Sequence, residues 1–327
     1  MVKVKRLVLG LLWLASAAAT VPASAQGAFP TRPVKLVVGF AAGGSVDIAA
    51  RIVAEALGPR LGQQVLVENR PGGGGALAAQ AVAMGEADGS TLLFASNGSM
   101  TIGPHLSPGQ PDPLAGFVPV TRIARVDALL VVHPQVPAAT FGEFIALLKR
   151  EPGKYSFSSS PYGPTHLAGE LLKRRADVNM VHIPYKGDAP ALVDTVGGTV
   201  AVNISVVPSV AKFIQTGKVR ALASFGEKRA SEFPDLPTVS ELGYPGVTAG
   251  AWYAVLAPKG TPAAAMARVD RELQHVLRDP QVGARMQAAG MEPFPSAGPQ
   301  EAADFLQQES RKWGTLIREA GIRVTGN

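Results

Sequence analysis

GFAAGGSVDIAAR, residues 39–51, overlaps the end of the apolar, β-branched run KLVVGF (35–40) and leads into a stretch with helical spacing. Two glycines mark a turn, and Ile48, Ile52 and Val53 recur on one face of the helix that follows. The stretch therefore predicts a strand, a tight turn and a helix. A helix N-terminus presents unpaired N–H groups and a positive dipole end, so this turn can bind an anion without a basic side chain.

Two further turns have the same character. VENRPGGGGALAAQ (67–80) places four glycines between a β-branched run and a helical pattern, and SSSPYGPTHLAGELL (158–172) places hydroxyl side chains before another helix. Glycine lets the backbone approach a ligand closely. All three turns are therefore candidate anion sites.

Short apolar, β-branched runs recur along the whole chain and predict strands. Most of them alternate with helical patterns, which is typical of parallel βαβ units and predicts the α/β class. Because the chain is long for a single core, we expect two domains. The runs are KLVVGF (35–40), QVLVEN (64–69), STLLFAS (90–96), ALLVVHP (128–134), YSFSSS (155–160), MVHIPY (180–185), VAVNISV (200–206), VRALAS (219–224) and WYAVLAP (252–258).

The N-terminus has the pattern of a secretory signal. Three basic residues precede an apolar run from Leu7 to about Ala19, and residues 23–25 (Ala-Ser-Ala) have the small-x-small form of a signal peptidase site. We expect residues 1–25 to be a cleaved signal peptide, so that the mature protein starts at Gln26 in the periplasm. A membrane anchor is the alternative, but the run is shorter than the ~20 apolar residues that span a bilayer.

Composition excludes several classes of protein. The chain has no cysteine, which rules out disulfides and a lipid-modified cysteine and fits an exported periplasmic protein. The net charge of +6 falls to +3 without the signal, which holds three of the 31 basic residues, and no basic stripe with interleaved aromatic residues predicts nucleic-acid binding. The five histidines show no metal-ligand spacing, so neither a metal nor another cofactor is predicted.

Motifs of nucleotide-binding proteins and hydrolases fit poorly. Residues 73–78 satisfy G-x-G-x-x-A, but Pro71 interrupts the approach and no acidic residue ends a following strand about 20 positions on. Ser45 lies in G-G-S-V-D and not in the G-x-S-x-G of a nucleophile turn. The prediction is a protein that is not an enzyme; a hydrolase that combines a distant serine and histidine stays the enzyme alternative.

Over nearly all of residues 29–325 the chain resembles the solute-binding receptors of tripartite tricarboxylate transporters, the Bordetella uptake gene type. The resemblance implies a type II periplasmic binding protein fold, in which two α/β domains enclose a ligand cleft and the chain crosses between them twice. It is carried by FPTRPVKLVVGFAAGGSVDIAAR (29–51), ADGSTLLF (87–94), VHIPYKGDAPALVDTVGG (181–198), LPTVSELGYPG (236–246) and WYAVLAPKGTP (252–262).

The resemblance also implies a discontinuous first domain. ARVDALLVVHP (124–134) and AGAWYAVLAPKG (249–260) are the expected crossing strands. Domain 1 then comprises residues 26–124 and 248–327, and domain 2 comprises residues 125–247.

In this family the first strand–helix turn and the domain 2 turn hold the carboxylates of a small organic anion between them. Carried over to this chain, Phe40 is an apolar wall, and the neighbouring backbone with Ser45 seats one carboxylate. Asp47 is expected either to cap the helix or to position a water or a ligand amino group. The implied contacts of domain 1 are Phe40, Ala41, Gly43, Gly44, Ser45, Asp47, Ser96 and Asn97.

The domain 2 turn departs from the family pattern. Ser160 and Tyr162 stand where the family commonly has glycine, so we expect a reshaped loop. Ser205 stands where relatives often carry aspartate, which weakens a polar contact to the ligand. The implied contacts of domain 2 are Ser159, Ser160, Tyr162, Gly163, Thr165, His166, Tyr185 and Ser205.

These features predict a monomeric periplasmic receptor that captures a small organic carboxylate and delivers it to integral-membrane transporter subunits. A sensory protein that presents its ligand to a membrane-bound signalling partner is the alternative, since the sequence has no readable docking motif. Dicarboxylates, tricarboxylates, acidic amino acids and aromatic acids all suit a cleft of backbone donors and hydroxyls.

Overall fold

The computed structural model describes residues 29–106, 112–319 and 321–322 of the chain. The predicted signal peptide (1–25) and the predicted mature start at Gln26 lie outside these residues. No helix among the described residues combines the length and the apolar character needed to cross a membrane.

The described residues contain ten strands in one mixed sheet. Each predicted apolar run coincides with one of the first nine strands, because alternation and β-branching mark a half-buried or buried strand. The fourth strand begins well before its predicted start, and the tenth was not predicted. The strands are β1 (Val34–Val38), β2 (Val65–Asn69), β3 (Thr91–Ser96), β4 (Phe117–Val132), β5 (Ser156–Ser159), β6 (Val181–Pro184), β7 (Val202–Val206), β8 (Arg220–Ser224), β9 (Gly250–Pro258) and β10 (Glu292–Pro293).

Ten α-helices cover the sheet or connect its strands. Short helical turns are also present at Gly73–Gly75, Gly98–Ile102 and Pro113–Gly116. The helices are α1 (Ser45–Leu61), α2 (Ala76–Ala83), α3 (Gly103–Leu106), α4 (Phe141–Arg150), α5 (Pro164–Ala176), α6 (Asp188–Val196), α7 (Val207–Gln215), α8 (Ala263–Arg278), α9 (Pro280–Ala288) and α10 (Pro299–Glu319).

The strand order is β2-β1-β3-β9-β4-β7-β5-β6, and β8 and β10 both pair with β4. Strand β1 is parallel to β2 and β3, and β5 is parallel to β6 and β7. Parallel neighbours at both ends of the order confirm the predicted βαβ units. The carboxyl ends of these strands are followed by turns that lead into helices.

Strand β4 joins two parts of the sheet. Its residues Phe117–Asp127 pair with β9, whereas Ala128–Val132 pair with β7 and Leu129–Val132 with β8. The fold is therefore the predicted α/β architecture of two parts with a cleft between them. The predicted domain boundaries at 124/125 and 247/248 stay a prediction beside this change of pairing partner.

Helix α1 fixes the position of the turn that precedes it. Val53 and Leu57 are fully buried in the main apolar core, and Ile52 is 7% exposed. Their spacing places them on one face of the helix, and each large side chain buried contributes roughly 1.5–3 kcal/mol. This packing holds the N-terminus of α1 at the carboxyl end of β1.

Candidate ligand-binding site

A cavity of about 440 Å³, including its opening to solvent, is lined by residues from both parts of the sheet. One wall comes from the ends of β1 and β3, the start of α1 and the start of β9, and the other from the starts of α5 and α6 and the end of β7. The lining residues are Phe40, Gly44, Ser45, Val46, Ser96, Asn97, Gly98, Ser160, Gly163, Pro164, Thr165, Asp188, Val206, Ala251 and Tyr253.

Four helices of the described chain begin at this cavity. Ser45, Pro164 and Asp188 are the first residues of α1, α5 and α6 and line it, and Val206, which also lines it, precedes α7. First-turn N–H groups have no partner within their own helix, and the dipole makes that end positive. No lysine, arginine or histidine is among the lining residues. The cavity therefore attracts an anion mainly through backbone groups.

Ser45 connects the two walls. Its Oγ accepts a hydrogen bond from the Tyr253 hydroxyl (2.8 Å) and donates one to Asp188 Oδ2 (3.0 Å). Its N–H donates to Ser209 Oγ (3.1 Å), and Ser209 Oγ in turn donates to Asp188 Oδ2 (3.2 Å). These contacts hold the two walls in a closed arrangement.

Asp188 is an acidic residue in a cavity otherwise suited to anions. It is partly exposed and makes no ion pair with a described residue. Desolvation raises the pKa of the Asp188 carboxyl, and the hydrogen bonds from Ser45 and Ser209 oppose that rise. Desolvation likewise raises the pKa of Tyr253, so its hydroxyl stays a donor.

Asn97 contributes a free acceptor to the cavity lining. Its Nδ2 donates to the Gly250 carbonyl (2.9 Å), which fixes the orientation of the amide, because a flipped amide would set two oxygens against each other. The residue is fully buried, and its Oδ1 has no hydrogen-bond partner among the described residues. A ligand donor can satisfy this oxygen.

Asp47 does not line the cavity, contrary to its predicted place among the ligand contacts. It is 2% exposed, and its carboxylate accepts from Gly43 N–H (2.9 Å), Arg51 Nε (2.9 Å) and Asn69 Nδ2 (3.0 Å). The alternative of a structural cap is closer, but the N–H that it caps belongs to the preceding turn. Burial raises the pKa of Asp47, but the hydrogen bonds from Arg51, Gly43 and Asn69 outweigh this and hold it below the ordinary value.

Ala41 and Gly43 support the first turn from outside the cavity lining. Ala41 N–H donates to the Lys186 carbonyl (3.4 Å) across the two walls. Gly43 has φ +81°, a conformation that favours glycine, whereas the lining residue Gly44 has φ −79°. The turn thus needs glycine at 43 for its shape, and Gly44 leaves open space at the cavity.

Ser159 and His166 of the domain 2 turn are buried behind the cavity and do not line it. His166 stacks on His182 with ring centroids 4.1 Å apart, and His182 Nε2 lies 2.8 Å from Ser159 Oγ. Burial, assisted by the Lys173 charge, lowers the pKa of His166 to about 4. Burial, then the neighbouring His166, lowers the pKa of His182 to about 3. Both rings are therefore neutral near pH 7.

Tyr162 lies outside the cavity lining but closes the cleft beside it. Its φ is +58°, so this position does take the left-handed conformation although it is not glycine. A Cβ on Gly74 would lie 2.9 Å from Tyr162 Cβ and 3.0 Å from the Pro161 carbonyl oxygen. The glycine-rich turn 72–75 therefore serves close packing between the two walls, and it contributes no residue to the cavity lining.

Tyr185 and Ser205 are also not brought into the cavity. The Tyr185 hydroxyl donates to Asp194 Oδ2 (2.5 Å), and desolvation, then this contact, raises the pKa of Tyr185 to about 12. Ser205 is fully buried in β7, next to Val206, and its Oγ has no partner among the described residues. Since neighbours on a strand point to opposite faces, Ser205 faces away from the side that Val206 presents.

Eight of the predicted contact residues line the cavity: Phe40, Gly44, Ser45, Ser96, Asn97, Ser160, Gly163 and Thr165. The sequence analysis missed Asp188 and Tyr253. Asp188 follows the β-branched run 180–185 and begins α6, so it belongs to a fourth strand–helix turn that could have been found by the same reasoning. Tyr253 had no such signal, because it lies inside a strand.

Comparison with known proteins gives the family. Residues 49–322 match the family described as Tripartite tricarboxylate transporter family receptor, TctC. The chain is 37% identical over 316 residues to protein BugT of Bordetella pertussis, and the match covers 96% of each chain.

Solved structures agree in fold. The structure of the periplasmic binding protein BugD is 34% identical with a TM-score of 0.85, and the match covers 90% of this chain and 99% of that one. An R. palustris protein solved with adipate is 33% identical with a TM-score of 0.86, at the same coverages. Proteins of this kind are periplasmic binding proteins, and neither the family nor these neighbours are described as enzymes. The chain belongs to the TctC family of tripartite tricarboxylate transporter receptors.

Proposed function

We propose that this chain is a periplasmic receptor that encloses a small organic carboxylate between two domains and delivers it to the integral-membrane subunits of a tripartite tricarboxylate-type transporter. The observation that carries the proposal is a cavity at the starts of four helices whose lining has no basic side chain. Such a site favours a carboxylate through N–H groups and hydroxyls. The adipate complex of the related R. palustris protein supports the same ligand class.

Closure of the cleft provides the signal that delivery requires. Contacts such as Ser45 to Ser209 and Asp188 exist only when the two walls meet. A ligand that touches both walls stabilises the closed form in proportion to its better binding there. The membrane subunits would then recognise the closed receptor.

The proposal retains the predicted signal peptide 1–25, the mature start at Gln26, the domains and the monomeric state. It places ligand contacts at the eight predicted residues that line the cavity and adds Asp188 and Tyr253. The domain 1 turn and the domain 2 turn then bind the ligand from opposite sides.

The test is calorimetry and thermal shift of the mature protein with a panel of small carboxylates that includes adipate. A ligand at 100 times its dissociation constant should stabilise the protein by ~2.7 kcal/mol. Gly44→Val, which sets a branched side chain at the cavity without a positive φ, should weaken binding more than tenfold, or ~1.4 kcal/mol. Gly142→Val in α4 is the matched control, since a Cβ there meets nothing within 4 Å, and it should bind like the parent.

Two results would contradict the proposal. Absence of any carboxylate ligand in the panel and in native mass spectrometry would remove the receptor function. Unchanged uptake of the identified ligand by cells that lack the gene would remove the transport function and favour signalling instead.

A further inference from the structure

Asp188 poses an electrostatic problem for the proposed function, on which the following inference rests. It is the first residue of α6 and lines the same cavity as the N-termini of α1 and α5. A carboxylate ligand placed beside an ionised carboxylate is repelled. The residue must therefore have a purpose that offsets this cost, or be protonated when the ligand binds.

The surroundings of Asp188 favour its ionised form in the closed cavity. Two hydroxyl groups, of Ser45 and Ser209, donate to the same oxygen, Oδ2, at 3.0 and 3.2 Å. The N-terminal end of α6 adds a positive dipole at the carboxylate. The other oxygen, Oδ1, has no hydrogen bond from a described residue, and no described lysine or arginine pairs with the group. Its natural complement is a cation supplied by the ligand.

Asn97 provides a second acceptor in the same lining, on an independent observation. It is fully buried, its amide orientation is fixed by the bond to Gly250, and Oδ1 is left without a partner. A buried acceptor without a donor costs ~1–3 kcal/mol. A donor on the ligand removes that cost.

We propose that the ligand is an amino carboxylate, whose protonated amine lies against Asp188 and Asn97 and whose carboxylate faces the N-termini of α1 and α5. An ammonium group has three donors and no acceptor, which matches two unpartnered acceptor oxygens. Its positive charge also neutralises Asp188, so that the net charge inside the closed cavity stays low. A plain dicarboxylate satisfies neither oxygen unless one carboxyl group carries a proton.

The experiment compares matched ligand pairs that differ only in the amine. Aspartate and succinate, glutamate and glutarate, and 2-aminoadipate and adipate are titrated by calorimetry into the mature protein and its Asp188→Asn variant. In the parent protein, the amino member of at least one pair should bind at least tenfold more tightly. Asp188→Asn should weaken that amino ligand at least tenfold and leave or improve the binding of its plain partner.

Asp194→Asn is the matched control on the same helix. Its carboxylate binds the Tyr185 hydroxyl outside the cavity, so binding of every ligand should be unchanged. Because the comparison of pairs in the parent protein needs no variant, it stays decisive even if Asp188→Asn fails to fold.

Equal or tighter binding of the plain dicarboxylates by the parent protein would overturn the inference and leave the receptor function in place; tightening at low pH would then identify Asp188 as a protonated donor. Failure of all six ligands would also overturn it. The broader carboxylate panel then decides separately whether the receptor function fails as well.

Discussion

The turns 39–47 and 158–166 face each other across the cavity and have the same strand–turn–helix form, but different chemistry holds them in place. The first relies on glycine at 43 and on Asp47, which ties the turn to Arg51 and Asn69. The second relies on the neutral stack of His166 and His182 behind it. The comparison shows that an anion site made of backbone groups leaves the supporting side chains free to differ.

The difference also explains how the second turn keeps its shape without the family's glycines. Tyr162 adopts φ +58°, which costs roughly 1–2 kcal/mol for a residue with a side chain. Its ring and Cβ pack against Gly74, Gly75 being the next residue of the same turn. The predicted reshaping of the loop is therefore not needed for positive φ, because packing against glycine in the opposite wall supports it.

Acidification should have the largest effect, through the second turn. The folded pKa of His166, about 4, lies below the ordinary value of 6.5, so the unfolded chain binds the proton first as the pH falls. Its contribution to stability is complete above pH 6.5 and is lost progressively down to about pH 4. At 1.36 kcal/mol per pH unit the loss is about 3 kcal/mol, with a further loss from His182.

Urea unfolding between pH 7 and 4 measures this loss. His166→Phe keeps the stacked ring but cannot bind a proton, so its stability should depend less on pH than that of the parent. The difference between the two isolates His166 from carboxyl groups that titrate in the same range. His275→Gln on the exposed surface of α8 is the control, and a His166→Phe curve parallel to the parent's would count against neutral burial.

Asp47→Ala should break the first turn, with an expected loss of about 2 kcal/mol. The substitution leaves Gly43 N–H and Asn69 Nδ2 without their acceptor in a buried site. Glu55→Ala on the same helix, which removes an exposed ion pair with Arg285, should cost well under ~1 kcal/mol.

The pH also separates this carboxylate from the histidines. Because the folded pKa of Asp47 is held below its ordinary value of 3.8, its contribution is present above that value and is lost only as the pH falls below it. Chemical denaturation at pH 7 and pH 3 measures both effects. Equal stability of the parent and Asp47→Ala at pH 7 would show that the turn does not depend on this residue.

Gly43→Ala gives the smallest expected effect, about 1 kcal/mol, because alanine must adopt the left-handed conformation at φ +81°. A Cβ at Gly43 meets nothing within 4 Å, so the cost is conformational and not steric. Gly44→Ala, at φ −79°, is the matched control and should leave the unfolding free energy of the free protein nearly unchanged. Equal losses in the two variants would mean that the turn does not depend on the conformation at 43.

Much of the fold could be predicted from the sequence, because it depends on patterns that are local in the chain. Alternation and β-branching located β1 to β9, and helical spacing located the start of α1. Strand β4 is longer than predicted, since residues 117–127 include polar positions and gain their strand character by pairing with β9. Strand pairing of this kind is not visible in a single segment.

The sequence alone determined the α/β class, the family resemblance and the use of strand–helix turns as anion sites, since each depends on residues that are close together in the chain. Only the tertiary structure decided which residues of those turns line the cavity. Ser45 meets Asp188 and Tyr253 at sequence separations of 143 and 208 residues. Contacts at such distances are set by how the two parts of the sheet pack, and this packing placed Asp47 and His166 behind the site and Asp188 inside it.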